Sequence, residues 1–214
     1  EMSRGLGDVY KRQVLLSFNY SQAISYNLSD SVFRLHIIAN SDSSADQELK
    51  LKVRDKIIEY MNTLTSSSSD KKDVISMVNN HLDSFKEIAL NTITEHGYNY
   101  DVNIEIGNFH FPTKSYGDIS FPAGNYDALK IEIGDAIGQN WWCVLFPPLC
   151  FVNSSTGVVP DDSKNTLKEN INSESYEIIS EGNNSNDNTS DIKIKFKIIE
   201  FLITQLLPCL LYTS

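Results

Sequence analysis

The stretch from Gly138 to Phe151 constrains this chain more than any other. It holds both tryptophans, Trp141 and Trp142, side by side, and two of the three cysteines, Cys143 and Cys150, on either side of a Pro147-Pro148 pair. Aromatic side chains bury large areas, so the stretch anchors either the core or an interface. Two successive prolines fix two φ angles and remove two donors, so no regular element continues through them. The apolar run Trp142 to Phe146 therefore reads as a core strand ending at a rigid turn. Neighbours on a strand point to opposite faces, so one tryptophan can pack inward while the other stays exposed as a binding anchor. In a fully extended chain the Cα atoms of Cys143 and Cys150 would lie about 23 Å apart, whereas a disulfide needs roughly 4.4–6.8 Å. A bridge thus requires the chain to reverse, and Pro147-Pro148 is where it can. Free thiols and a bridge both stand open, the bridge being the expectation outside the cytoplasm.

Upstream, Val32 to Ala39 reads as a strand, with Phe33, Leu35 and Ile37 on one face and Arg34, His36 and Ile38 on the other. Asn40 to Ser43 is a turn cluster. Ser44 with Gln47 offers a capping box for a first helix, whose stripe is Leu49, Val53, Ile57, Met61 and Leu64, widened by Leu51 and Ile58. Asp70 opens a second helix over about 72–96, with Val74, Val78, Leu82, Phe85, Ala89 and Ile93 as its stripe and Gly97 at its C-terminal end. The period then changes to two. Tyr100, Val102, Ile104 and Ile106 alternate with polar residues, Asn108 to Pro112 suggests a hairpin partner, and Tyr126 to Ile133 forms a further strand with Leu129, Ile131 and Ile133 inward. A strand, two helices and then successive strands predict an α+β fold: a mixed, mostly antiparallel sheet with helices packed on one face.

The ends differ in character. Residues 1–13 and 209–214 resemble translated sequencing adapter and are set aside from fold reasoning. Residues 14–29 read as the remnant of a signal or anchor segment, with Val14 to Phe18 as the tail of its apolar region and cleavage expected after Ala23. A single α+β domain is expected over 30–152 and a polar low-complexity linker over 153–190, disordered in its Asn/Ser-rich part from Gly182 to Ser190. Over 191–208 Ile192, Phe196, Ile199 and Ile203 share one helical face, which predicts a C-terminal amphipathic helix; a strand over 192–198 is the alternative.

The net charge of −10 leaves no basic stripe to neutralise phosphates, which argues against a nucleic-acid partner. Phosphate-binding glycine loops, HExxH, GxSxG and CxxC are all missing, and the four histidines lack ligand spacing, so no metal or cofactor is expected. Two arrangements could mimic a catalytic site. Cys143 with His36 and an aspartate would make a thiol nucleophile, and Ser41, Asp42 and His36 a hydrolase-like set. Against them, a cysteine between Trp142 and Val144 reads as a small core residue, and Asn40 and Asp42 read as residues that bond a turn and cap a helix.

Several blocks, in order, resemble the stage II sporulation protein R family of endospore-forming Firmicutes. They are Arg34 to Ser43, Asp46-Gln47 and Leu49 to Asp55; Pro122 to Leu129; and Asn140 to Cys150, with a Lys/Phe-rich end near 191–201 that fits too. The resemblance implies an exported signalling protein, made in the forespore and acting in the space between the forespore and mother-cell membranes, close to a membrane surface. Its implied partner is a membrane-embedded aspartic protease, the sigma-E factor processing peptidase, which then cleaves the precursor of the mother-cell sigma factor E. The chain would be the ligand and not the enzyme; the reading of a different class is a cell-envelope hydrolase using Cys143 or Ser41. Interface anchors are enriched in Trp, Tyr and Arg. The expected contact surface is therefore Trp141 beside Arg34 and His36, with Tyr126 and the Asn40 to Asp42 turn. The competing expectation for Arg34 is a pairing with Glu132 across the sheet.

Overall fold

A computed structural model describes residues 11–12, 26–65, 70–150, 159 and 161–180. After helix α1, described over residues 26–31, the order is β1 (Phe33–Ile38), α2 (Ser44–Thr65), α3 (Lys71–Asn80), α4 (Leu82–Glu95), β2 (Val102–Phe111), β3 (Lys114–Tyr116), β4 (Ile119–Phe121), β5 (Gly124–Ile133), β6 (Asn140–Phe146), α5 (Asp161–Asn170) and α6 (Ser173–Ser180). Four strands form one sheet in the order β2-β5-β1-β6, and β3 pairs with β4 in a separate hairpin. β1 runs parallel to β5, with Ile37 opposite Ile131, and antiparallel to β6, with Leu35 opposite Cys143. β2 runs antiparallel to β5, with Ile104 opposite Ile131. The sheet is thus mixed and mostly antiparallel. Parallel strands need a long crossover, and here it runs from β1 through α2 to α4 and then β2 to β4 before β5.

Alternation puts Phe33, Leu35 and Ile37 of β1, Leu129, Ile131 and Ile133 of β5, and Cys143 and Leu145 of β6 on one face. There they meet the stripes of α2 (Leu49, Val53, Ile57, Met61), α3 (Val74, Val78) and α4 (Phe85, Ala89, Ile93). Each such aliphatic or aromatic side chain contributes about 1.5–3 kcal/mol on burial. Lys71 at the start of α3 ties the helices to the rest, its Nζ lying 2.7 Å from Asp127 of β5 and donating to the Ser29 carbonyl at 2.7 Å.

The helices depart from expectation in two places. The second predicted helix, 72–96, is two helices that break at His81. The His81 ring Nδ1 sits 2.8 Å from the Met77 carbonyl, the acceptor its own amide would use in an unbroken helix, and that amide turns to the Val78 carbonyl at 3.1 Å. At the start of α2 the cap is Ser43 and not Ser44: Ser43 Oγ accepts from the Asp46 amide at 3.1 Å, while the Gln47 side chain donates to the Ser41 carbonyl. Gly97 ends α4 as read, with φ of +83° and a Schellman pair, Gly97 N–H to Thr94 O and Tyr98 N–H to Ile93 O.

The opposite face of the sheet is covered as well, which the sequence reading did not anticipate. Tyr126, Ala128 and Val144 join Phe111, Ile119, Phe121, Leu149 and Leu28 in a second core. α5 and α6 complete it through Leu167, Ile171 and Ile179, and Lys164 pairs with Asp118 at 2.6 Å. These helices lie inside the stretch expected to be a polar linker over 153–190. Their apolar residues are few but correctly spaced, and tertiary burial outweighs a polar composition. Likewise Leu28, expected in the signal remnant, is fully buried against this core. Asn108 to Phe111 continues β2 instead of starting a hairpin partner. Signal cleavage after Ala23, residues 1–10 and 209–214 of the adapter-like ends, Gly182 to Ser190 and the C-terminal helix over 191–208 all fall outside the described residues.

Candidate functional site

At one end of the sheet the turn leaving β1 grips the loop between β5 and β6. The Asn40 side chain donates to Asp46 Oδ2 at 2.9 Å and accepts from the Asp135 amide at 3.0 Å. Asp42 Oδ1 accepts from the Gln139 amide at 2.7 Å, and Ser41 Oγ donates to Asp46 Oδ2. Lys50, buried in the first turns of α2, donates to Gln47 Oε1 at 2.6 Å and to the Gln139 carbonyl at 2.8 Å. Burial opposes the Asp46 carboxylate, but hydrogen bonds from Ser41, Asn40, Tyr100 and Ser43 outweigh it and hold its pKa below the usual aspartate value. A Cβ on Gly138 would run into the Ser41 carbonyl and one on Gly134 into the Asn40 side chain, so both loop glycines permit close approach.

Arg34 and His36 lie on the second-core face of β1. Arg34 is fully buried, with its guanidinium 4.1 Å from the ring centre of Phe111, 4.7 Å from that of Tyr126 and 5.7 Å from that of Phe121. Its Nη2 donates to the Tyr116 hydroxyl at 2.9 Å, which in turn donates to the Trp142 carbonyl at 3.1 Å. Arg34 Nε and Nη1 are buried without a hydrogen-bond partner among the described residues. Burial raises the pKa of both phenols around it, that of Tyr126 to about 12, so neither supplies a phenolate counter-charge. His36 stacks on Trp142 with ring centres 3.7 Å apart, and its Nε2 lies 2.7 Å from Asn140 Oδ1. Burial lowers the His36 pKa, helped by Lys130 and opposed by the Asn140 hydrogen bond and Glu132.

This geometry corrects the expected contact surface. Arg34 and Tyr126 are interior residues, each with no exposed surface. The register puts His36 opposite Trp142 and Ile37 opposite Trp141, so the tryptophan beside Arg34 and His36 is Trp142. Trp141 faces the helices, half-buried, with the Arg54 guanidinium 4.3 Å from its ring centre. Glu132 does not reach Arg34: it stands opposite Ile38 and pairs with Lys130 at 2.6 Å. The Asn40 to Asp42 turn lies at the surface, with Asp42 exposed and Asn40 and Ser41 half-buried. Sequence reasoning passed over Tyr116, Lys50 and Gln139, and it read Trp142 as a core residue of its strand without placing it beside Arg34 and His36. Strict alternation from Cys143 would have placed Trp142, because a strand residue facing the helices puts its neighbour on the other face.

Cys143 and Cys150 form a disulfide across the Pro147-Pro148 turn, with Cα atoms 5.3 Å apart. The bridge takes Cys143 out of nucleophilic chemistry. Ser41 Oγ donates to Asp46, and His36 Nε2 faces Asn140, so neither set forms a nucleophile–base pair. Among the described residues no cluster of His, Cys, Asp and Glu could hold a metal ion, and no helix is long and apolar enough to cross a membrane.

Comparison with known proteins gives the arrangement a context. No solved structure matches the chain. Stage II sporulation protein R of Bacillus subtilis (strain 168) is 39% identical over 130 residues, which is 61% of this chain and 58% of that protein. The chain therefore spans less than two thirds of the length of this curated relative. The model of the family described as Stage II sporulation protein R matches residues 29–156, a span that takes in the whole sheet, α2 to α4 and the disulfide turn, and the chain belongs to that family.

Proposed function

We propose that this chain is an exported sporulation signal that activates the membrane-embedded sigma-E factor processing peptidase, so that the precursor of the mother-cell sigma factor E is cleaved. The carrying observation is the family match over residues 29–156. Two features support an extracytoplasmic ligand. The Cys143–Cys150 bridge suits an oxidising compartment, here the space between forespore and mother-cell membranes. The residues that could have served a hydrolase are bound up in structural contacts, as described for Cys143, Ser41 and His36.

The test is co-expression of the full chain, directed to the outer face of the membrane, with the peptidase and the sigma-factor precursor in a cell that makes neither. Cleavage that depends on this chain is the expected result. Equal cleavage with and without the chain, or none with it, refutes the reading.

A further inference from the structure

Ile137 is 76% exposed, and among the described residues only Tyr26 joins it as an exposed large apolar side chain. A single exposed aliphatic group is ordinary; its support is not. Each amide from Gly134 to Gln139 is bonded: Gly134 to the Asp101 carbonyl, Asp135 to Asn40 Oδ1, Ala136 to the Ile133 carbonyl, Ile137 to the Asn40 carbonyl, Gly138 to the Ala39 carbonyl and Gln139 to Asp42 Oδ1. Ala136, the residue before Ile137, has φ of +52°, in the left-handed region that favours glycine. A non-glycine residue held there costs free energy, and such strain persists where the surroundings over-determine the backbone, most often at functional positions. The loop is a fixed pedestal, and the side chain it presents to solvent is apolar.

We propose that Ile137, at the tip of the β5–β6 loop, is a docking knob that enters an apolar socket, rimmed by cationic groups, on a partner protein. The polarity of the rim sets the partner's charge. Asp42, Asp101 and Asp135 are the exposed charged residues of the loop and its supports, while Lys50 is buried beneath them. A rigid knob loses little conformational freedom on binding, which favours affinity without a large interface. This inference rests on the proposed function, with the peptidase as the partner that carries the socket.

The experiment compares the full parent chain with I137D, I137S and D135K in the co-expression assay, alongside thermal unfolding of each purified chain. All three should unfold like the parent, because the substituted side chains are exposed. Cleavage should fall at least about tenfold for I137D and I137S, the loss typical of a central interface anchor, and by a smaller factor for D135K. Parent-level activation by I137S overturns the knob and leaves the proposed function standing. Parent-level activation by D135K overturns the cationic rim. A parent chain that triggers no cleavage removes the proposed function, and the knob with it.

Discussion

Reducing the Cys143–Cys150 bridge is a perturbation whose size follows from the fold. The two cysteines are separated by 7 in sequence. For a closed loop of that length the chain-entropy relation gives about 2.4 kcal/mol of stability at 25 °C. Two effects reduce it. The Pro147-Pro148 pair already stiffens the unfolded loop, and the freed Cys150 thiol would lie 3.0 Å from the Val144 carbonyl, a weak hydrogen bond. A net loss of about 1.5–2 kcal/mol follows, equivalent to roughly 3–8 °C in midpoint for a domain of this size. The assay is equilibrium urea unfolding with and without reductant, in a C209S background so that only the bridge sulfurs respond. Unfolding free energies that agree to within about 0.5 kcal/mol with and without reductant would overturn this, because the linkage would then constrain nothing that the unfolded chain does not already hold.

The other predictions concern the second core and its borders. Arg34→Met keeps the volume and removes a buried charge that has no carboxylate partner among the described residues, so it should change stability by less than about 1.5 kcal/mol, whereas Arg34→Ala leaves a cavity and should cost about 3 kcal/mol or more; urea unfolding separates the two, and a loss above about 3 kcal/mol for the methionine variant would mean the charge is well compensated. Trp142→Ala removes the stack on His36 and the edge contact with Phe111 and should cost more than Trp141→Ala, with about 3–5 kcal/mol as the buried limit; the reverse order in the same assay contradicts the register. His36 has a folded-state pKa below its ordinary 6.5, so the unfolded state binds its proton more readily. Its contribution is therefore fully present above pH 6.5 and is lost as pH falls from there through the folded-state value; a stability profile over that window that is the same in parent and His36→Gln would rule this out.

What the sequence made legible was whatever periodicity records. The inward residues of β1 and β5 and the central stripes of α2 to α4 bury as read, with Leu51, Leu64 and Leu82 only half-buried, because amphipathic patterns are set by which face meets the core. The break at His81 was invisible because no glycine or proline marks it; a side chain competing for the Met77 carbonyl leaves the apolar spacing intact. α5 and α6 were missed because Leu167 and Ile171 stand among polar residues and the apolar group Tyr176, Ile178 and Ile179 is short, and only the presence of a second core gives them something to cover. Arg34 was read as a surface anchor by residue type. Its burial depends on Phe111, Phe121 and Tyr126 converging from three strands, a juxtaposition that spacing along the chain does not contain. The candidate site was legible in its Asn40 to Asp42 turn but not in its partner loop, since the contact between them is set by strand order.

That strand order explains why the two best-marked blocks of the sequence belong together. β1 lies between β5 and β6, so the chain leaving β5 cannot enter β6 without passing over the end of β1. The residues that leave β1, Ala39 to Asp42, must therefore touch the crossing loop, and their polar groups have to answer its amides or leave them buried and unpaired. Asn40 and Asp42 do this with side-chain oxygens, Ala39 and Asn40 with carbonyls, and Gly134 and Gly138 allow the approach. Asp46 and Lys50 then anchor the crossing to α2, coupling the loop to the first helix after β1. A loop so constrained from three sides has little freedom to bury its own apolar side chain. Ile137 faces solvent because the crossing geometry fixes the backbone beneath it, and the surface it presents is as well defined as the sheet itself.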